Sequence, residues 1–297
     1  MLISEKMKTL EYSKSEQIII DYFIDHKQEI TNQSTRSIAK LLYCSPSSIV
    51  RVCQKLGFTG YNDFKIQYLK EVDYLGSNFK AIDPNQPFNQ QDGISEIANK
   101  INILYKETLE DTLSLLTHDL LQDALKILSK YKHISIVTSA SQVGIAATFQ
   151  DKMARIGIQV VVYSSTDLPY YEASYLDPED GCFILISYTG ETERCIRIAK
   201  QLNQRKINFI TITSYGTNTL SSLSKHCLYV STREKIRDNI GSYSMNISTI
   251  YLLDVLYSNY FNLHYSMNKA NKIKYTNEYE SYTREDLNRK TDNSSIQ

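Results

Sequence analysis

Residues Ser187 to Thr192 read Ser-Tyr-Thr-Gly-Glu-Thr. They stand between an apolar run, CFILI (182–186), and a helical run, ERCIRIAKQL (193–202). If the first run is a parallel strand, the hexapeptide lies at its C-terminal end, where open α/β sheets bind ligands. Ser187, Thr189 and Thr192 offer hydroxyls, and Gly190 lets the chain turn tightly and brings backbone N–H groups forward. The helix start adds partial positive charge, so this knot suits a phosphate without needing Lys or Arg. The same residues also read as an ordinary helix start, with Thr189 as cap and Glu191 and Thr192 in the first turn. Glu191 favours a helix start, yet it would repel an anion held too close.

A second constellation lies near the N-terminus, in TRSIAKLLYCSPSSIVRVCQKLGF (35–58). Ile38, Ala39 and Leu42 give one short helix an apolar face. Ser45 and Pro46 form an N-cap and a proline at the first helical position. Ile49, Val52, Cys53 and Leu56 give a second helix its buried stripe, and Gly57 can end it. Ser47, Ser48, Arg51, Gln54 and Lys55 are left for solvent. Two short helices on a tight turn, the second starting with small hydroxyl residues, make a helix-turn-helix that can enter a major groove. Arg51 can meet a phosphate or a guanine edge, and Thr35 and Arg36, opening the first helix, face the DNA backbone. From Thr35 to Leu56 there are four basic residues and no acidic one. A plain helical hairpin with a solvated basic face has the same pattern, and Tyr43 stands where many such turns use Gly.

Other chemistry finds little support. The five cysteines and five histidines show no metal-ligand spacing, and most cysteines sit in apolar stretches, as reduced buried thiols do. Glu172, Glu191, Glu234 and His226 could move protons, but no motif assigns any of them that role. The expectation is no catalytic residue, no metal and no cofactor. Lys plus Arg equals Asp plus Glu at 33 each, so any DNA-binding field is local. No apolar run approaches the roughly 18 residues of a membrane span, and the N-terminus is too charged for a signal peptide. A cytoplasmic protein without membrane contact is expected.

These residues need two kinds of scaffold. Residues 1–78 read as an all-helical helix-turn-helix domain, and 79–123 as a linker followed by an amphipathic helix. The stretch 77–93, with two prolines and many amides, is the linker proper. In 124–266 the runs ISIVT, VVVYS, CFILIS, NFITIT and CLYVS are continuously apolar and β-branched, like strands buried on both faces. Helical segments alternate with them, which predicts a five-stranded parallel sheet flanked by helices, a doubly wound α/β domain. A helix over SYSMNISTIYLLDVLYSNYFNL closes it. Residues 267–297 form a polar tail whose end, RKTDNSSIQ, is expected to fray.

The stretch VTSASQVGIAATFQDKMARIG, followed by CFILISYTGETERCIRIAKQLNQRKINFITITS, resembles the SIS (sugar isomerase) domain, a flavodoxin-like phosphosugar-binding fold. Its hallmark loop, Ser-x-Ser/Thr-Gly-x-Thr, is matched by Ser187, Thr189, Gly190 and Thr192. With the front helices and the run RVCQKLGFTGYNDFK (51–65), the whole order resembles the RpiR family of bacterial transcription regulators. The resemblance covers most of residues 1–265. It implies that Ser187, Thr189, Gly190 and Thr192, with amides around Glu191, take a phosphate. The family's first sugar-contacting loop usually reads Gly-x-Gly-x-Ser; those positions here are Thr138, Ala140 and Gln142. Ala140 is a small change, Thr138 restricts positive φ, and Gln142 is longer than serine. Ser139 and Ser141 could compensate.

Three functions are consistent with this reading. The first is a regulator of carbohydrate genes whose SIS domain binds a phosphosugar effector and whose helix-turn-helix binds a double-stranded operator. It would act as a homodimer or homotetramer. The second is a phosphosugar isomerase or lyase. The third is a DNA-binding dimer whose SIS domain has become a ligand-free scaffold.

Overall fold

The computed structural model describes residues 2–77, 81–164 and 166–293. The N-terminal part consists of α1 (Ile3–Thr9), α2 (Lys14–Asp25), α3 (Thr35–Leu41), α4 (Pro46–Lys55) and α5 (Tyr61–Ser77). The caps account for the starts. The Ser13 hydroxyl accepts from the Glu16 N–H at α2, Ser34 from Ser37 at α3, and Ser45 from Ser48 at α4, with Pro46 at the first helical position. Phe23, Ile38, Ile49, Val52, Cys53, Phe64 and Tyr68 close one core among these helices. α1 is held from below, because the buried Glu71 carboxylate of α5 accepts from the Ile3 N–H and, at 2.8 and 2.6 Å, from the Ser4 N–H and hydroxyl.

Two more helices follow, α6 (Ile94–Ser114) and α7 (His118–Lys130). The C-terminal domain then runs β1 (His133–Val137), α8 (Gln142–Ala154), β2 (Gln159–Tyr163), α9 (Leu168–Tyr175), β3 (Cys182–Ile186), α10 (Glu193–Arg205), β4 (Phe209–Ser214), α11 (Thr219–Leu223), β5 (Cys227–Val230) and α12 (Tyr243–Leu263). The strands form one parallel sheet in the order β2-β1-β3-β4-β5, with Ile136 opposite Ile184 and Ile184 opposite Ile210. Every β3 residue is buried, which explains its unbroken apolar run. Alternate strand residues serve opposite layers: Ile134, Ile136 and Ile184 pack with α7, α8 and α12, and Phe183, Leu185 and Phe209 with α9, α10 and α11. The order reverses between β1 and β3, so the loops after these two strands flank the switch point at which such sheets take ligands. α6 lies against α12 through buried hydroxyl pairs, Thr108 with Ser244 at 3.0 Å and Thr112 with Ser248 at 2.8 Å.

Three features differ from the sequence expectations. The short helices α9 and α11 have too few turns to show a period. Within the linker, the segment 81–93 is anchored rather than loose: the Asn85 carboxamide donates to the Arg233 carbonyl and accepts from the Lys235 N–H, and its own carbonyl accepts from the Ile240 N–H. The polar tail is helical, with α13 spanning Tyr265–Asn293. The fraying expected of RKTDNSSIQ is therefore not seen up to Asn293, and the last four residues lie outside those described. Good helix formers and an i,i+4 pair, Lys274 with Glu278 at 4.0 Å, favour the helix.

Candidate functional site

The N-terminal site is built on α3 and α4. Arg36, Ser45, Pro46, Ser47, Arg51, Gln54 and Lys55 are exposed, and Thr35 and Ser48 are half-buried. The cap serines bond one another, Ser45 Oγ lying 2.8 Å from both Ser47 and Ser48 Oγ. Arg51 rests lightly on Ser48 at 3.4 Å. Lys55 is engaged elsewhere, 3.0 Å from the Glu16 carboxylate and 5.1 Å from the centre of the Tyr12 ring. The turn holds a residue that sequence reasoning treated only as a departure. Tyr43 takes φ +51 and is 98% exposed. A tyrosine there bears the cost of the left-handed conformation and leaves its phenol in solvent just ahead of α4.

The knot after β3 departs from an ordinary side-chain-capped helix start. Thr192 stands at the N-cap of α10, yet its side chain accepts from none of the helix's first N–H groups. Its hydroxyl pairs instead with that of the buried Ser187 at 2.7 Å. Thr189 does not cap the helix either; its oxygen accepts from the Glu191 N–H at 3.1 Å. Gly190 takes φ +67, and a Cβ on it would fall 1.9 Å from Asn218 Oδ1, so only glycine fits. The Glu191 carboxylate turns away from α10 and accepts from Thr219 N–H and hydroxyl at 2.8 and 2.7 Å, starting α11. The side chains of Thr192 and Glu191 thus leave the first N–H groups of α10 uncapped.

Beside the knot opens a cleft of about 530 Å³, lined by Glu5, Thr189, Thr232, Glu234, Lys235 and Arg237 among others. Of the residues expected to bind ligand, it brings together Thr189 and Glu191; Ser187, Gly190, Thr192, Ser139, Ser141 and Gln142 do not line it. Glu234 is 2% exposed. One carboxylate oxygen accepts from the Met245 N–H at 2.8 Å, at the start of α12, and the other, Oε1, has no partner among the described residues. Burial pushes this carboxyl up, partly offset by the N–H groups of Met245, Tyr243 and Ser244. The Tyr188 hydroxyl donates to the Glu234 carbonyl, tying the knot to this loop. Glu5 comes from α1 of the N-terminal part, and no local spacing could have paired it with Glu234.

The first loop lies across α12. Ser141 Oγ and Gln142 Nε2 both donate to Asn246 Oδ1, at 2.9 and 2.8 Å, while Ser139 is exposed. Gln142 Oε1 and Thr138 Oγ1 are buried without partners among the described residues. Among the described residues no group of three His, Cys, Asp or Glu could hold a metal, and no helix is long and apolar enough to cross a membrane.

The Glu234 loop is bound to the N-terminal part as well. Thr232 N–H donates to the Tyr74 hydroxyl at 3.0 Å. The Arg233 guanidinium donates to the fully buried Asp111 at 3.1 Å and to the Leu75 and Tyr74 carbonyls at 3.0 and 2.6 Å. The end of α5 is therefore capped by a residue of the C-terminal domain.

Comparison with known proteins places both halves. Residues 2–73 match the helix-turn-helix domain of the rpiR family and residues 127–259 the SIS domain. A relative in Clostridium perfringens, named an HTH-type transcriptional regulator, is 30% identical over 89% of this chain and 93% of its own. The chain belongs to the RpiR family. A second relative of that designation, YbbH of Bacillus subtilis, is 23% identical over 82% of this chain and 84% of its own. Among solved structures, the Vibrio vulnificus NanR protein complexed with ManNAc-6P has the same fold at 18% identity. It covers 94% of this chain and 98% of its own with a TM-score of 0.60. The sugar isomerase domain of an RpiR transcription factor from Sphaerobacter thermophilus, at 13% identity, covers 61% of this chain and 98% of its own with a TM-score of 0.54.

Against the RpiR pattern, the first loop needs one correction. Ala140, taken as the small change, is the costly one, because it holds φ +52 where the family carries glycine. Thr138 is not in the left-handed region; it extends β1, its N–H donating to the Tyr163 carbonyl at 3.1 Å.

Proposed function

We propose that the protein regulates carbohydrate genes, binding a two-fold DNA operator through α4 and a phosphosugar effector at the α10 end of the SIS domain. Two chains, or two pairs of chains, present the paired recognition helices in the cytoplasm, and no catalysis is involved. Ser187, Thr189, Gly190 and Thr192 hold the phosphate with the open amides of α10. Thr35, Arg36, Ser45, Pro46, Ser47, Ser48, Arg51 and Gln54 meet DNA, and Lys55 joins them only by leaving Glu16. The observation that carries this reading is the α10 N-terminus without a side-chain cap from Thr192, with the Glu191 carboxylate engaged by Thr219 instead. The NanR complex with a phosphorylated sugar supports the ligand class.

Arg233 supplies the coupling. It sits next to Glu234 of the cleft and grips α5, whose 17 residues make a rod of about 25 Å reaching the recognition-helix core. An effector that prefers one position of the 232–238 loop biases one placement of α4.

Duplexes selected from random DNA by the full chain test the first half. Arg51→Ala is expected to lower their affinity without unfolding the protein; unchanged affinity removes α4 from the interface. Thermal shift with sugar phosphates tests the second half. Thr192→Val, which keeps volume and removes a hydroxyl, is expected to reduce the stabilisation. The self-bonded Ser141–Asn246–Gln142 triangle favours one alternative, a ligand-free scaffold, and the absence of any stabilisation at millimolar levels would establish it.

A further inference from the structure

The surface of α3 and α4 carries a charge arrangement that their own sequence does not show. Between Thr35 and Leu56 stand Arg36, Lys40, Arg51 and Lys55, with no acidic residue. The fold brings one in from outside that stretch: Glu16, in the first turn of α2, meets Lys55 at 3.0 Å. Among the described residues, Lys55 is the one of these four cations held by a carboxylate. Arg51, one turn earlier on the same face of α4, reaches the Ser48 hydroxyl at 3.4 Å instead.

The carboxylate is fixed independently of Lys55. Glu16 closes the capping box of α2: its Oε2 accepts from the Ser13 N–H at 2.9 Å, and its own N–H donates to Ser13 Oγ at 3.3 Å. The Ser13 N–H and the Lys55 ammonium hold the Glu16 carboxyl below its ordinary range, so it stays charged. The ammonium also lies 5.1 Å from the centre of the Tyr12 ring, a second attraction toward the same side. A phosphate that takes Lys55 has to draw it from both partners and approach a fixed negative charge.

We propose that Glu16 is a positioning residue for DNA binding: it withholds Lys55 from the phosphate backbone and so lowers the sequence-independent part of the affinity. This rests on the reading of α4 as the recognition helix. Phosphate contacts carry no sequence information, so the effect falls equally on every duplex. Discrimination between sequences stays with the side chains that reach base edges.

Fluorescence anisotropy of the full chain on a selected duplex and on a scrambled one, over about 50 to 200 mM salt, tests this. The variant is Glu16→Gln, because glutamine serves a capping box as well as glutamate and loses the charge. It is expected to bind both duplexes about threefold tighter at the low-salt end, the scale of one exposed ion pair. The plot of log affinity against log salt is expected to steepen by about 0.9, the slope of one added phosphate contact. Adding Lys55→Gln to that variant is expected to cancel both changes. An unchanged slope in Glu16→Gln overturns the proposal, even where the unfolding midpoint moves; a loss of affinity in Arg51→Ala then still leaves α4 at the DNA. A gain confined to the selected duplex overturns it too, because it assigns Lys55 to a base edge. So does a gain that persists in the double variant, which makes Glu16 itself the repelling charge. If Arg51→Ala also leaves affinity unchanged, the recognition-helix reading falls as well.

Discussion

Arg233 and Asp111 are 122 positions apart in sequence, and their side chains meet at 3.1 Å with the Asp111 side chain fully buried. Around that pair, Tyr74 donates to Asp111 at 2.7 Å and accepts from Thr232, and Arg233 covers the last carbonyls of α5. One ion pair thus joins the end of the DNA-binding half, the long helix α6 and the loop that lines the cleft.

Removing the arginine alone leaves a buried carboxylate without its counter-charge. Arg233→Ala is expected to destabilise the protein by about 3 to 5 kcal/mol in urea denaturation. Arg233→Lys keeps the charge but not the multi-point grip on two carbonyls, so a smaller loss is expected. A loss below about 0.5 kcal/mol for Arg233→Ala would mean the pair does not hold the halves together.

Tyr43→Gly separates two roles of one residue. Glycine adopts φ +51 without penalty, so thermal unfolding should show a gain of up to about 1 kcal/mol. The exposed phenol is lost at the same time, and affinity for selected duplexes is expected to fall severalfold. A gain in stability with unchanged affinity would make Tyr43 a strained turn residue and nothing more.

Ala140→Gly relieves the same strain in the first loop, at φ +52. A gain of about 0.5 to 1 kcal/mol is expected, the released strain being partly offset by the greater freedom of glycine in the unfolded chain. A loss instead would show that the alanine methyl makes a packing contribution larger than the backbone cost.

Stability should depend on pH through Glu71 and Glu234. Burial raises both carboxyls above their ordinary 4.5, against the pull of the N–H groups each accepts from. A carboxyl raised on folding takes up protons as the chain folds. Its contribution is therefore complete below its unfolded value and is lost as pH rises through the folded value. Denaturation midpoints are expected to decline from about pH 4.5 upward over that window, and Glu71→Gln or Glu234→Gln should flatten the decline. A midpoint that rises through this range in the unmodified protein and both variants alike would contradict the assignment.

The sequence by itself determined the elements and their order. Ser45 and Pro46 announce the start of α4 because a cap and its helix are neighbours in the chain. The runs at β1 and β3 to β5 announce buried parallel strands because burial on both faces needs only an unbroken apolar stretch, whereas β2, equally apolar, lies at the sheet edge and is largely half-buried. The knot at 187–192 was legible for the same reason. Tertiary structure decided what its residues do. Glu191 could repel an anion or start a helix, and the choice fell to Thr219, 28 positions later, where the first turn of α11 docks. The cleft joins Glu5 to Glu234, and the clamp joins Arg233 to Tyr74 and Asp111. The linker segment 81–93 is held by Asn85 on the Arg233 loop. None of these pairs has a local spacing, because they arise only when finished helices and strands pack. Which side chains face one another is then set by the surfaces of whole elements, and no short stretch of chain contains that information.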